Sequence, residues 1–95
     1  MINRKYSLDE DYFSTIDSEA KAYWLGMLAS DGNVRFRKHD TCGEFRLGLM
    51  NSDKNHLVKF KECLGYGGPI RSEDGMSVLS IYSTKMCNEL ISLGI

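Results

Sequence analysis

The chain has 95 residues, which allows one domain with a modest core. Its 42% hydrophobic and 26% charged content excludes a disordered chain, and no apolar run approaches membrane-spanning length. A net charge of −1 and a pI near 6.1 speak against a strong nonspecific nucleic-acid binder, whose phosphate contacts need an excess of Lys and Arg.

Residues 1–17 read as a polar N-terminal extension with Tyr6, Leu8, Tyr12 and Phe13 as anchors. Its acidic run Asp9-Glu10-Asp11 reads as a solvated face or a short helical turn capped by Ser7, away from the sheet. A helix follows, started by Asp17 or Ser18 and running to Asp31. Ala22, Gly26 and Ala29 recur at i, i+4 and i+7 and form one stripe of small residues. A mid-helix glycine costs about 1 kcal/mol against alanine, so the stripe predicts close approach of another backbone. Tyr23, Leu25, Met27 and Leu28 flank it, predicting burial on more than one side. Asp31 falls at the helix C-terminus, where the macrodipole disfavours a negative charge by about 0.3–1 kcal/mol. Two readings follow: an ordinary Asp-Gly turn with Gly32 in a left-handed conformation, or a carboxylate whose charge a bound cation cancels.

Residues 33–38 and 44–50 alternate and predict a β-hairpin, with Val34, Phe36, Phe45, Leu47 and Leu49 on one face. Asn51-Ser52-Asp53 offers a cap for a helix over residues 54–64, ended by Gly65. The pattern then repeats: a short strand over 69–73, an Asp74-Gly75 turn, a strand over 76–83, and a helix from Ser83 or Thr84 to Leu93. The order αββαββα predicts an α+β fold with a four-stranded antiparallel sheet and helices packed on one face. The open face would carry Asn33, Arg35, Arg37, Arg46, Arg71, Ser80 and Tyr82, with Glu44 among them. From periodicity alone these arginines solvate an exposed face.

Other clusters carry less. Cys42, Cys63 and Cys87 are widely spaced without a CxxC pair and read as free thiols of a reducing interior, which places the chain inside the cell; Cys63 and Cys87 are expected in the core. The N-terminus lacks a signal-peptide pattern. His39, Asp40 and Cys42 lack a fourth ligand at zinc spacing. The glycines around Gly67 do not precede the Lys-Ser or Lys-Thr of a phosphate loop. His56 reads as a half-exposed helix residue.

The segment Trp24-Leu25-Gly26-Met27-Leu28-Ala29-Ser30-Asp31-Gly32 resembles the nine-residue motif of the LAGLIDADG homing endonucleases. Lys21-Ala22-Tyr23 fits that family's common run-in. Gly26, Asp31 and Gly32 match the most constrained positions, while Ala29 stands where the first acid of the motif lies. With the order of elements that follows, the resemblance covers residues 18–95, a single LAGLIDADG-like domain. Family members usually carry further C-terminal structure, so a domain shortened at its C-terminus is expected. The resemblance implies that Asp31 coordinates a divalent cation, Mg²⁺ by preference, and that the sheet is a saddle for double-stranded DNA. Its contacts would come from Asn33, Arg35, Arg37, Arg46, Arg71, Ser80 and Tyr82. Single-motif members act as homodimers, which implies an interface through Ala22, Gly26 and Ala29. A basic residue near the metal is common; Lys85 is the candidate, with Arg46 as another. The implied function is a site-specific, metal-dependent double-strand DNA endonuclease. The alternative is a catalytically inactive module of the same fold that binds DNA or a protein.

Overall fold

The computed structural model describes residues 6–36 and 42–95. Helix α1 (Glu19–Asp31) runs directly into strand β1 (Gly32–Phe36), which is followed by β2 (Gly43–Met50). A single 3₁₀ turn (Asn51–Asp53) leads into α2 (Lys54–Cys63); β3 (Arg71–Glu73), β4 (Met76–Tyr82) and α3 (Thr84–Ser92) complete the chain. The strands form one antiparallel sheet in the order β1-β2-β4-β3. The fold is therefore α+β, with four antiparallel strands and three helices among the described residues.

Local chemistry accounts for the boundaries. Ser18 caps α1 by accepting from the Lys21 N–H at 3.2 Å, and Ser83 caps α3 by accepting from the Met86 N–H at 3.2 Å. The expected cap of α2 is not made by a side chain. Asn51 Oδ1 instead accepts from Ser77 Oγ at 2.7 Å, tying the 3₁₀ turn to β4. Asp74 and Gly75 both take positive φ, 50° and 81°, which suits the two-residue hairpin turn between β3 and β4.

Gly32 corrects one expectation. It is extended (φ −95°, ψ 178°), not left-handed, and its N–H still donates to Leu28 O. Glycine is required there by space: a Cβ would lie 2.7 Å from the Leu28 carbonyl oxygen and 2.8 Å from Leu28 Cα. The helix thus passes into the strand with no intervening residue.

Cross-strand register places Phe45 opposite Ile81 and Leu47 opposite Leu79. These four residues form one core with Trp24 and Leu28 of α1, Leu57 and Phe60 of α2, and Met86, Cys87 and Leu90 of α3. Trp24 stacks on Phe60 with ring centroids 4.6 Å apart. The N-terminal stretch contributes Tyr12 and Phe13 to this core. It is fastened by backbone bonds from Asp9 N to Leu64 O (2.8 Å) and from Gly67 N to Ser7 O (3.0 Å). Its acids do reach the sheet-to-helix junction: Ser83 Oγ donates to Glu10 Oε1 at 2.7 Å. Among the described residues, no helix is long and apolar enough to cross a membrane.

Candidate nucleic-acid interface

The period-two alternation of a strand sends successive side chains to opposite faces. The register pairs Asn33 with Arg46, Arg35 with Glu44, Arg46 with Ser80, and Glu44 with Tyr82, so all six share the face opposite the core. Arg71, paired with Val78, and Glu73, paired with Met76, lie on the same side. Six of the seven expected contact residues are thus brought together; Arg37 lies outside the described residues.

The charges on this face are paired rather than loose. Glu44 is only 5% exposed. Arg35 Nε donates to its Oε1 at 2.9 Å, and Ser80 Oγ donates to its Oε2 at 2.7 Å. Burial pushes the Glu44 carboxyl up, but hydrogen bonds from Ser80, Arg35 and Tyr82 and the Arg35 charge outweigh it and hold the group below the ordinary carboxylate value. A second acid, Glu73, does not stand out in the sequence. Arg46 Nη2 donates to Glu73 Oε1 at 3.5 Å, and Arg71 Nη2 lies 3.9 Å from the same oxygen. Arg46 therefore spans β4 to reach β3, and Val78 of the intervening strand is buried although it belongs to the open face. Only the sign pattern of a three-residue strand could have pointed to Glu73. Three arginines facing two glutamates leave the described face weakly positive.

Two shallow clefts border the face. One, of about 220 Å³, is lined by Arg35, Phe36, Glu44 and Tyr82. The other, of about 130 Å³, is lined by Tyr6, Tyr66, Pro69, Arg71, Ser80 and Tyr82. Tyr6 and Tyr66 meet edge to face at 5.8 Å.

At the edge of the sheet stands the tip of α1. Asp31 is exposed, and among the described residues its carboxylate has no hydrogen-bond or ion-pair partner. No basic residue occupies the last turn of α1 to offset the macrodipole. Burial on α1 is one-sided in this chain: Trp24 and Leu28 are buried, whereas Ala22, Tyr23, Gly26 and Ala29 are exposed. A Cβ on Gly26 would meet nothing within 4 Å. The close backbone that the stripe predicts is therefore not supplied by the described residues of the chain. Ala29 also borders an open cleft of about 480 Å³ with Gly32, Val34, Ile91 and Ile95.

Lys85 is placed elsewhere. It sits in the first turn of α3, 2.8 Å from both Asp11 Oδ1 and Glu89 Oε2, and donates to Ser14 Oγ at 3.0 Å. The hydrogen bonds to Asp11 and Glu89 raise its ammonium above the ordinary lysine value. This lysine clamps the N-terminal stretch to α3 and is not brought together with Asp31. Arg46, opposite Asn33, is the cation nearer in register to the tip of α1.

The remaining nucleophiles and ligands have structural surroundings. Cys87 is buried, which pushes its thiol up to about 11; Cys63, expected in the core, is exposed at the end of α2. His56 packs on Trp24 with centroids 4.8 Å apart and hydrogen-bonds the Tyr23 hydroxyl. Among the described residues, no group of three His, Cys, Asp or Glu could hold a metal ion. One exposed carboxylate supplies at most two hard oxygen ligands, so Asp31 fits a divalent cation only with further oxygens beside it.

The chain matches no protein-family model, no curated protein and no solved structure.

Proposed function

We propose that this chain is a LAGLIDADG-like DNA-binding protein that takes duplex DNA on the open face of its sheet. The observation that carries the reading is the junction at Asp31–Gly32. An exposed acid ends a helix that passes without a break into the first strand of an arginine-bearing face. A two-stranded ribbon fits the major groove, and arginine matches the two acceptors of guanine. The exposed stripe Ala22, Gly26 and Ala29 gives a second copy a surface for close helix packing about a twofold axis. Asp31 of each copy would then flank one divalent cation, whose chemistry is activation of water and stabilisation of the leaving oxygen in phosphodiester hydrolysis. The chain's own part is to hold the carboxylates at the helix tips and the duplex against the sheet.

Binding without cleavage is the second reading, and the position of Lys85 favours it. The candidate basic catalyst, in the first turn of α3, is engaged by Asp11 and Glu89. The two readings separate in one experiment with supercoiled DNA and Mg²⁺. An endonuclease nicks it, and Asp31→Asn abolishes nicking while binding persists. A binding module retains DNA in a gel shift and never cuts. Gly26→Leu tests the dimer cleanly, since a larger side chain there meets open space within one chain. The expected result is an unchanged fold with the solution mass of a monomer; an unchanged dimer mass counts against the stripe.

A further inference from the structure

The three arginines of the open face are not equivalent, and the difference lies in which nitrogen each has committed. Arg35 gives its Nε to Glu44. Among the described residues its two Nη groups have no protein partner, and its side chain is 65% exposed. Arg46 has instead given an Nη to Glu73, and the Arg71 Nη2 leans on the same carboxylate. A guanidinium reads guanine by presenting two parallel N–H groups to O6 and N7. Binding through Nε leaves the terminal pair of Nη groups whole. A contact through Nη2 occupies one of that nitrogen's two N–H groups and draws the terminal end of Arg46 toward Glu73 on β3.

Glu44 is built to hold that orientation. The residue is 5% exposed, and Ser80 Oγ fixes the second carboxylate oxygen at 2.7 Å while Tyr82 adds a further hydrogen bond. The acid is therefore immobilised by β4, and it immobilises the arginine on β1. A pre-oriented fork loses less rotamer freedom on binding than a free side chain does.

We propose that Arg35 is the guanine-reading residue of the sheet and that Glu44 is its positioning residue, while Arg46 and Arg71 serve charge and phosphate contacts. The proposal rests on the DNA-binding reading and adds to it a base class at one position. Glu44 then has a dual effect: it lowers affinity for DNA in general, as a negative charge on the binding face, and raises discrimination.

The test is selection from a randomised duplex library, with binding constants measured from 50 to 200 mM salt. Wild type selects a pool with a fixed guanine, favoured about ten- to a hundredfold over other bases at that position. Arg35→Lys keeps the charge and loses the fork, so affinity for random duplex holds while the guanine preference falls to near none. Arg46→Lys leaves that preference in place. Glu44→Leu binds random duplex more tightly, with a steeper salt dependence, yet discriminates less. Loss of a merely structural carboxylate would lower both affinity and discrimination. Thermal melting establishes that each variant is folded; if Glu44→Leu is not, the exposed Arg35→Lys and the nearly isosteric Glu44→Gln decide. Failure of wild type to bind duplex at 50 mM salt overturns the DNA-binding reading and this inference with it. Binding with a guanine preference untouched by Arg35→Lys, or with no preference, overturns this inference alone.

Discussion

The two faces of the sheet are made by the same strands and differ in what holds them. On the inner face, Phe45, Leu47, Leu79 and Ile81 are closed over by three helices, and Tyr12 and Phe13 join the same core. On the outer face, Arg35, Arg46 and Arg71 meet Glu44 and Glu73 in ion pairs that span the sheet. The inner face stabilises the fold through removal of apolar area from water. The outer face does little for stability and holds side chains in defined positions at the surface. Function is to be sought where order is maintained without a large energetic return.

The sharpest break of that comparison is a pair of neighbours on β2. Phe45→Ala removes a ring that is 1% exposed and is expected to cost about 3–5 kcal/mol in urea unfolding. Arg46→Ala, one residue on, removes a half-exposed pair at 3.5 Å and is expected to change stability by no more than about 1 kcal/mol. Equal losses at the two sites would mean that the outer face is part of the core.

A smaller effect separates Glu44 from the rest of its face. A carboxyl held below its ordinary value contributes stability that is present above that value, 4.5, and is lost as pH falls through the lower folded value. The denaturation midpoint of wild type should exceed that of Glu44→Gln at about pH 6, and the gap should shrink as pH falls below 4.5. A gap that stays constant well into the acid range would show that the ionised form is not what Arg35 and Ser80 hold.

The smallest expected effect concerns the tip of α1. Removing a negative charge from a helix C-terminus relieves about 0.3–1 kcal/mol of macrodipole repulsion. Asp31→Asn should therefore melt slightly above wild type in a chelator, and Mg²⁺ should raise the melting point of wild type only. A variant less stable than wild type would make Asp31 a structural residue.

Much of this layout is legible in the sequence because period-two alternation is a strict rule. Asn33, Arg35, Glu44, Arg46, Arg71, Ser80 and Tyr82 share a face for the same reason that Phe45 and Leu47 share the other. The helix starts at Ser18 and Ser83 are equally readable from their cap chemistry. The pairing is not. Whether Arg46 meets Ser80 alone or also Glu73 depends on the register of a three-residue strand, which alternation leaves free. The role of the N-terminal stretch is hidden for a related reason. Asp11 and Glu10 find Lys85 and Ser83 more than 70 residues away, and no local period announces such contacts. Gly32 reads as a turn residue because Asp-Gly commonly is one; its need for glycine is the crowding against Leu28, visible only when helix and strand are joined.

The central claim is that the outer face of the sheet binds duplex DNA, and its most direct measurement is the salt dependence of that binding. Wild type and a variant with Arg35, Arg46 and Arg71 all changed to Ala would be titrated with one duplex between about 50 and 200 mM salt. The account predicts measurable wild-type binding at the lowest salt and weaker binding by the variant. The slope of log K against log salt should flatten by up to about 0.9 for each phosphate that the variant no longer neutralises. Identical binding and slope in the two proteins, or no binding by either at the lowest salt, would contradict it.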